Sequence, residues 1–167
     1  MLDYELAGKM VKLSEEVKDR RDFYEKSVEI VRKKLPENTL DKLYNYAYLL
    51  KNIDRALKAL ESGSAEEVEH WLEVIGEVPK DVELSRDEEL SKALRSTRCS
   101  DVFSSALHIS TTVRYSGEDP RNLLRERDIM KLRLCLKVVK DEVIELLINT
   151  ARSAVERSEG LSRTSPT

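Results

Sequence analysis

The side chains best suited to catalysis or metal binding are scarce in this chain. Its 167 residues include two histidines, His70 and His108, and two cysteines, Cys99 and Cys135. Neither histidine has a second His, Cys or carboxylate at a recognised metal-ligand spacing, and a catalytic site needs several such groups converging. We therefore expect packed or surface histidines, with no catalytic residues, no metal site and no cofactor.

The two cysteines lie in separate helical patterns. We expect them to be reduced thiols that pack as small core residues, rather than a disulfide or a metal pair. The sequence contains no phosphate-binding glycine loop and no nucleophile elbow. The interval from Arg98 to His108 is also too long for the Arg…His motif of helical HEPN ribonucleases. These observations argue against an enzyme.

Basic side chains between residues 114 and 140 are the other candidate functional feature. They could contact phosphates or an acidic partner. The candidate contacts are Arg121, Arg125, Lys131, Arg133 and Lys137. No aromatic residue is interleaved with them for stacking on bases. The formal net charge is −3, and residues 61–89 are rich in carboxylates. Two interpretations stay open: a solvated helix face, or a docking surface for a charged partner.

Composition indicates the fold that must position these groups. Five glycines, four prolines and few aromatic residues, with no alternating Val/Ile/Thr runs, are typical of helices. We predict an all-α bundle of about five helices with a long C-terminal helix. One helical domain is expected over residues 1–157, followed by a disordered polar tail over 158–167.

Cap and breaker residues divide the chain into predicted helices. An opening amphipathic helix runs to about Val17, and a helix capped by Asn38 or Thr39 ends at Gly63. A capping box, Ser64 to Glu67, begins the next helix. Residues 80–84 are predicted to be a loop, and a second capping box, Ser85 to Glu88, to open one helix reaching Leu107.

The long C-terminal helix is predicted to begin at Pro120, capped by Asp119, and to continue without a break to about Val155. Its apolar residues recur at spacings of three and four in two stripes. The first stripe is Ile129, Leu132, Leu136, Val139, Val143 and Leu146; the second is Met130, Leu134 and Val138, continued by Ile144, Leu147, Ala151 and Val155. A helix that is apolar on two sides indicates a protein interface. The candidate interface residues are Leu132, Leu136, Val139, Val143, Leu146, Met130, Leu134 and Val138.

No apolar run approaches the roughly 20 residues that a membrane span needs, and the N-terminus lacks the pattern of a signal peptide. We expect a soluble cytoplasmic protein that does not bind membranes.

Three short motifs follow one another along the chain. The first is Asp22-Phe23-Tyr24-Glu25 with Val28, Ile30-Val31 and Leu35; the second is Leu94-Arg95, Arg98, Val102 and Ala106-Leu107; the third is Asn122-Leu123-Leu124, Glu126 and Arg127. Together they resemble the α-helical domain of archaeal GINS proteins, which are replication-fork factors, in the Sld/Psf-like subunit type. The resemblance departs at Asp101-Val102, where the family usually has Lys-Ile, and we expect no counterpart of the family's small β domain in the polar residues after the helices.

The resemblance implies a non-enzymatic subunit that scaffolds and activates the MCM replicative helicase. Its expected partners are other GINS subunits, the MCM helicase and a RecJ-like protein, at the nucleoid. The alternative is a helical, nucleic-acid-binding small subunit of a ribonucleoprotein effector complex, which would use the basic residues on phosphates.

Overall fold

The computed structural model describes the backbone of residues 2–164 and the side chains of residues 5–157. Within that part of the chain every regular element is helical, which confirms the predicted all-α class with a long C-terminal helix. The helices are α1 (Leu2–Glu16), α2 (Arg20–Val31), α3 (Glu37–Ser62), α4 (Ala65–Gly76), α5 (Val78–Ser85), α6 (Glu88–Ser96), α7 (Ser100–Ser116), α8 (Pro120–Leu123) and α9 (Glu126–Thr164).

Several helix ends follow the local signals that predicted them. The Ser64 side chain accepts a hydrogen bond from the Glu67 N–H, and the Glu67 carboxylate accepts one from the Ser64 N–H, so the capping box of α4 is confirmed. Gly63 follows the last residue of α3, as predicted. The predicted N-cap of α3 is wrong, because Asn38 and Thr39 lie inside a helix that begins at Glu37.

The predicted loop over residues 80–84 is wrong, because these residues lie in α5. Pro79 stands in the first turn of α5, where its missing N–H costs no helical hydrogen bond. Arg86 then ends the helix in the left-handed conformation, with φ of 58°. The second capping box is also wrong: Asp87, rather than Ser85, caps α6 by accepting a 3.2 Å hydrogen bond from the Leu90 N–H.

The helix predicted from Glu88 to Leu107 is interrupted between α6 and α7. The Ser96 and Thr97 hydroxyls donate to the carbonyls of Ala93 and Leu94 at 2.6 Å, and such side-chain bonds compete with the helical ladder. Arg98 follows in the left-handed conformation, with φ of 58°. The chain therefore turns here without a glycine or a proline to signal it.

The two cysteines form a disulfide, which overturns the expectation of reduced thiols. Cys99, just before α7, is bonded to Cys135 on α9, with the Cα atoms 5.9 Å apart and a sequence separation of 36. The sequence pattern placed each cysteine on a helix, but it carried no information on which helices pack together. The pairing is set by tertiary packing alone.

The long C-terminal helix begins six residues later than predicted. Asp119 and Pro120 do start a helix, but α8 lasts one turn and Leu124 is extended, with φ of −88° and ψ of 112°. Helix α9 then starts at Glu126, and the Asp128 carboxylate accepts a hydrogen bond from the Arg125 N–H at 3.2 Å. It continues to Thr164 and so overlaps the predicted disordered tail, whose residues 165–167 lie outside the described residues.

The chain divides into two compact units. The first comprises residues 1–51 and 143–167, and the second comprises residues 52–142, so α3 and α9 each contribute to both. In the first unit α1 packs on α2, and Met10, Phe23 and Leu43 are fully buried. In the second unit α4 packs on α5, α7 and α8, around Leu72 and Phe103.

The contact between α4 and α7 in the second unit depends on Gly76. A Cβ atom placed on Gly76 would lie 2.5 Å from the Leu107 Cβ, 2.7 Å from its Cα and 2.8 Å from its N. Two of these atoms belong to the backbone, which cannot rotate away as a flexible side chain could. The sequence indicated only that a glycine ends α4, whereas the structure shows that it permits close helix packing.

We predict that Gly76→Ala destabilises the protein by about 2–3 kcal/mol, because α7 must move away from α4 to admit the methyl group. Gly8→Ala is the matched control. Gly8 lies in α1, where an added Cβ would meet no atom within 4 Å, so the change should stabilise by about 0.5–1 kcal/mol through helix propensity. Urea unfolding followed by circular dichroism measures both, and equal effects of the two changes would contradict the packing role.

Candidate functional site

The two apolar stripes of α9 have different environments. Leu132, Leu136, Val139 and Val143 of the first stripe are at most 3% exposed, so they belong to the chain's own core. This burial excludes them from a surface that a partner could reach without unfolding the chain. The flanking Leu146 and Ile129 are half-buried. The interface prediction is therefore corrected for the four buried residues of the first stripe.

The second stripe changes character along the helix. Leu147 and Ala151 are buried, whereas Met130, Leu134 and Val138 are 60%, 60% and 43% exposed. These three residues, spaced four apart, share one face of α9 and are called the α9 strip below. At 100° per residue the strip lies opposite Leu136 and Val139, which are buried on the other side of the helix.

Three adjacent exposed apolar side chains have a different meaning from scattered ones. Single exposed apolar residues such as Leu84 and Tyr115 occur on most protein surfaces and require no explanation. A continuous apolar strip bordered by polar residues is typical of a surface that binds another molecule. The α9 strip is the feature of this kind on the second unit, which makes it the candidate site.

Cations border the α9 strip on both sides. Arg127, Lys131 and Lys137 are exposed, and each lies three residues from Met130 or Leu134, the spacing at which helical side chains are neighbours. Arg133 is half-buried beside them. Among the residues that the structure describes, none of these four cations has an ion-pair partner within 4.0 Å. Their charge is therefore available to an incoming anionic group.

One cation of the predicted phosphate-binding set, Arg121, is already engaged. The Arg121 guanidinium donates to both carboxylate oxygens of Asp119, at 3.1 and 2.9 Å. These hydrogen bonds hold the pKa of Asp119 below its ordinary value. Arg125 is exposed, and Lys140 pairs with Asp54 at 2.7 Å. The available set is thus Arg125, Lys131, Arg133 and Lys137, together with Arg127, which was not among the predicted contacts.

A groove of about 260 Å³ adjoins the strip at Lys131. Helices α7 and α9 line it together with Leu124, which follows α8, and Val102, Ile109 and Leu132 supply apolar walls. Its polar side chains include Asp101, Ser105, His108, Asp128 and Lys131. This groove was not predicted, although Val102 and Ile109 stand seven residues apart on α7 and this spacing places them on one face. Together the groove and the α9 strip form a wider surface with an apolar floor.

The histidines lie apart from each other and from any cluster of metal ligands. Both are exposed; the His70 ring contacts the Trp71 ring edge to face, and His108 lies on the rim of the groove. No three His, Cys, Asp or Glu side chains within the described part of the chain are grouped so that they could hold a metal ion.

The first family-like motif has a structural role in the first unit. Phe23 is fully buried, and the Tyr24 hydroxyl donates to the Asp41 carboxylate at 2.9 Å. Burial, the hydrogen bond from Tyr24 to Asp41 and the charge of Asp41 together raise the pKa of Tyr24, while Arg20 opposes them. Arg20 also pairs with Asp41 and lies 4.6 Å from the centre of the Tyr44 ring. These contacts join α2 to α3.

No protein-family model matches this chain, and the comparisons with curated proteins and with solved structures gave no match either. No helix in the described residues is long and apolar enough to cross a membrane.

We predict opposite outcomes for two neighbouring substitutions on α9. Leu136→Asp places a carboxylate in the core without a partner and should destabilise the second unit by more than about 4 kcal/mol. Leu134→Asp changes a 60% exposed position and should cost only about 0.5–1 kcal/mol, mostly in helix propensity. Thermal unfolding followed by circular dichroism distinguishes them, and similar losses of stability would show that the α9 strip is covered in the folded chain.

Proposed function

We propose that this chain is a non-enzymatic assembly subunit that binds a partner protein through the α9 strip and its flanking cations. The exposure of Met130, Leu134 and Val138 on the side of α9 that faces away from the core carries this proposal. These side chains are 43–60% exposed, so covering the exposed part contributes about 1–2 kcal/mol each. The adjoining groove adds area for a second contact.

The charges around the strip limit the chemistry of the partner. Arg127, Lys131 and Lys137 carry three positive charges, and no described carboxylate pairs with them. A partner that covers the strip with apolar side chains and places Asp or Glu at the rim satisfies both features. Such charge complementarity speeds the encounter with an acidic partner and disfavours basic partners. Its contribution to the affinity itself is smaller.

The resemblance of the three motifs supports a more specific proposal about the assembly. Under it, the partners are other GINS subunits, and the complex scaffolds and activates the MCM replicative helicase together with a RecJ-like protein at the nucleoid. The disulfide is compatible with an archaeal cytoplasm, because intracellular proteins of hyperthermophilic archaea commonly contain disulfides. In a mesophilic cytoplasm the same bond is expected to be reduced.

The α9 cations also favour a second candidate function, the small nucleic-acid-binding subunit of a ribonucleoprotein effector. Five cations, Arg125 to Lys137, have no carboxylate partner among the described side chains, so phosphates could bind there. The apolar strip between them is the feature that this candidate leaves unexplained, because phosphate contacts do not require exposed Met, Leu and Val.

Co-purification from the native cells tests the assembly proposal. We expect the tagged wild-type chain to bring down replication proteins, and Leu134→Asp to lose them at least tenfold, which corresponds to about 1.4 kcal/mol. Leu84→Asp is the matched control, because Leu84 is 69% exposed on α5 and stands alone. If Leu134→Asp retains every partner, the α9 strip is not the docking surface; if other proteins are lost instead, the GINS assignment is wrong while the docking role stands.

A salt titration separates the two candidates. The nucleic-acid model predicts that the isolated chain binds single-stranded DNA or RNA with a logarithmic salt slope of about −3 for four neutralised phosphates. The assembly model predicts no such binding at physiological salt. Binding that weakens with salt and is lost in a Lys131→Gln/Lys137→Gln variant would replace the assembly proposal with the second candidate.

A further inference from the structure

One end of the disulfide lies at the N-terminus of a helix. Cys99 is the N-cap of α7, a helix of 17 residues, and its side chain makes no capping hydrogen bond because its sulfur is bonded to Cys135. The N-terminus of a helix carries a partial positive charge and stabilises an anion placed there. A sulfur released from the disulfide at this position would become a thiolate at the positive end of α7.

A cavity of about 360 Å³ beside Cys99 is lined by charged side chains. Helices α5, α6 and α7 line it, and Arg95, Arg98 and Cys99 are among its lining residues, with Phe103 supplying an apolar surface. Glu83 is the one carboxylate among the lining residues, so two guanidinium groups against one carboxylate leave a net charge of +1. Both arginines line the same cavity as Cys99, so their positive charges lie near a thiolate formed there.

The two ends of the disulfide differ in accessibility. Cys99 is 4% exposed, whereas Cys135 lies half-buried on α9, between the exposed Leu134 and the buried Leu136. The larger exposed fraction of the Cys135 residue favours attack by an external thiolate at this end, and that direction of attack expels Cys99 as the leaving group. Exchange is faster when the leaving sulfur forms a stabilised thiolate. Cys135 is therefore the sulfur that is attacked, and Cys99 is the sulfur that leaves.

We propose that the Cys99–Cys135 bond is a thiol–disulfide exchange site of the folded protein, reduced by a dithiol. One thiolate of the dithiol attacks the Cys135 sulfur, a mixed disulfide forms there, and the electron pair of the broken bond goes to Cys99. The second thiol of the dithiol loses its proton and attacks the dithiol sulfur that is bonded to Cys135. This step releases Cys135 as a thiolate. The dithiol is oxidised to a cyclic disulfide, and both cysteines end as thiols after each takes up one proton.

Reduction also removes a covalent restraint from the junction between α6 and α7. Residues 97–99 form no regular helix, and Arg98 is held in the left-handed conformation. The disulfide fixes this junction to α9 within the second unit. Without it, the junction is restrained by local hydrogen bonds, such as that from the Thr97 hydroxyl to the Leu94 carbonyl, and by the packing of neighbours such as Phe103, so its backbone opens more often. The bond is therefore a redox-sensitive clamp on the helix that carries the α9 strip.

Reduction of the folded full-length chain by dithiothreitol tests the exchange site, with maleimide labelling and mass measurement as the readout. We expect reduction without denaturant, at a rate that urea below the unfolding transition does not change. A purely structural disulfide would instead be reduced only at urea concentrations that unfold the chain, and that result would overturn the proposal.

The arginine contribution has its own matched variants. Arg95→Gln/Arg98→Gln should slow reduction about threefold to tenfold, because the departing thiolate loses two positive neighbours. Arg121→Gln, which removes an exposed arginine paired with Asp119 outside the cavity, should leave the rate unchanged. Equal rates for the wild-type protein and both variants would contradict the assignment of Cys99 as the leaving sulfur.

Hydrogen exchange tests the clamp. Reduction should speed amide exchange at residues 97–103 and 131–138, and should leave α1 and α2 unchanged. The Cys99→Ser/Cys135→Ser variant should show the reduced pattern without any dithiol and should not respond to its addition. Identical exchange in the oxidised and reduced proteins would mean that the bond restrains nothing.

Discussion

Burial of one side of α9 is the constraint on which the rest of the structure depends. Leu132, Leu136 and Val139 are at most 3% exposed in the second unit, and Leu147 is fully buried in the first. Each such side chain contributes about 1.5–3 kcal/mol on burial, which is large against a net stability of roughly 5–15 kcal/mol. Because α9 supplies core residues to both units, its rotation about its own axis is fixed.

The fixed rotation determines which side chains of α9 face solvent. Once Leu136 and Val139 are buried, the helical period places Met130, Leu134 and Val138 on the opposite side, among cations that have no ion-pair partner in the described part of the chain. The same geometry brings Cys135 against the start of α7, where it bonds to Cys99. The proposed docking surface and the proposed redox-sensitive clamp thus follow from one packing arrangement and lie next to each other on a single helix.

The helical class and some helix caps were predictable from the sequence, whereas the contacts between helices were not. The all-α class, the Ser64 capping box and the caps at Asp119 and Pro120 each depend on residues within one turn, and the structure confirms them. The two stripes of α9 were recognisable by spacing, but spacing could not tell the buried stripe from the exposed one. The α5 helix was mistaken for a loop, although Pro79 lies in its first turn, where proline is compatible with the start of a helix. The disulfide and the close approach at Gly76 required knowledge of which helices meet.

The proposed function requires that the α9 strip contacts another protein in the cell. Photo-crosslinking measures this contact directly, with a photoreactive amino acid in place of Leu134 in one strain and of Tyr115 in another, since Tyr115 is 87% exposed on α7. We predict a discrete crosslinked adduct to a heterologous protein from position 134 and none from position 115. Absence of an adduct at 134, or the same adducts from both positions, would contradict the claim.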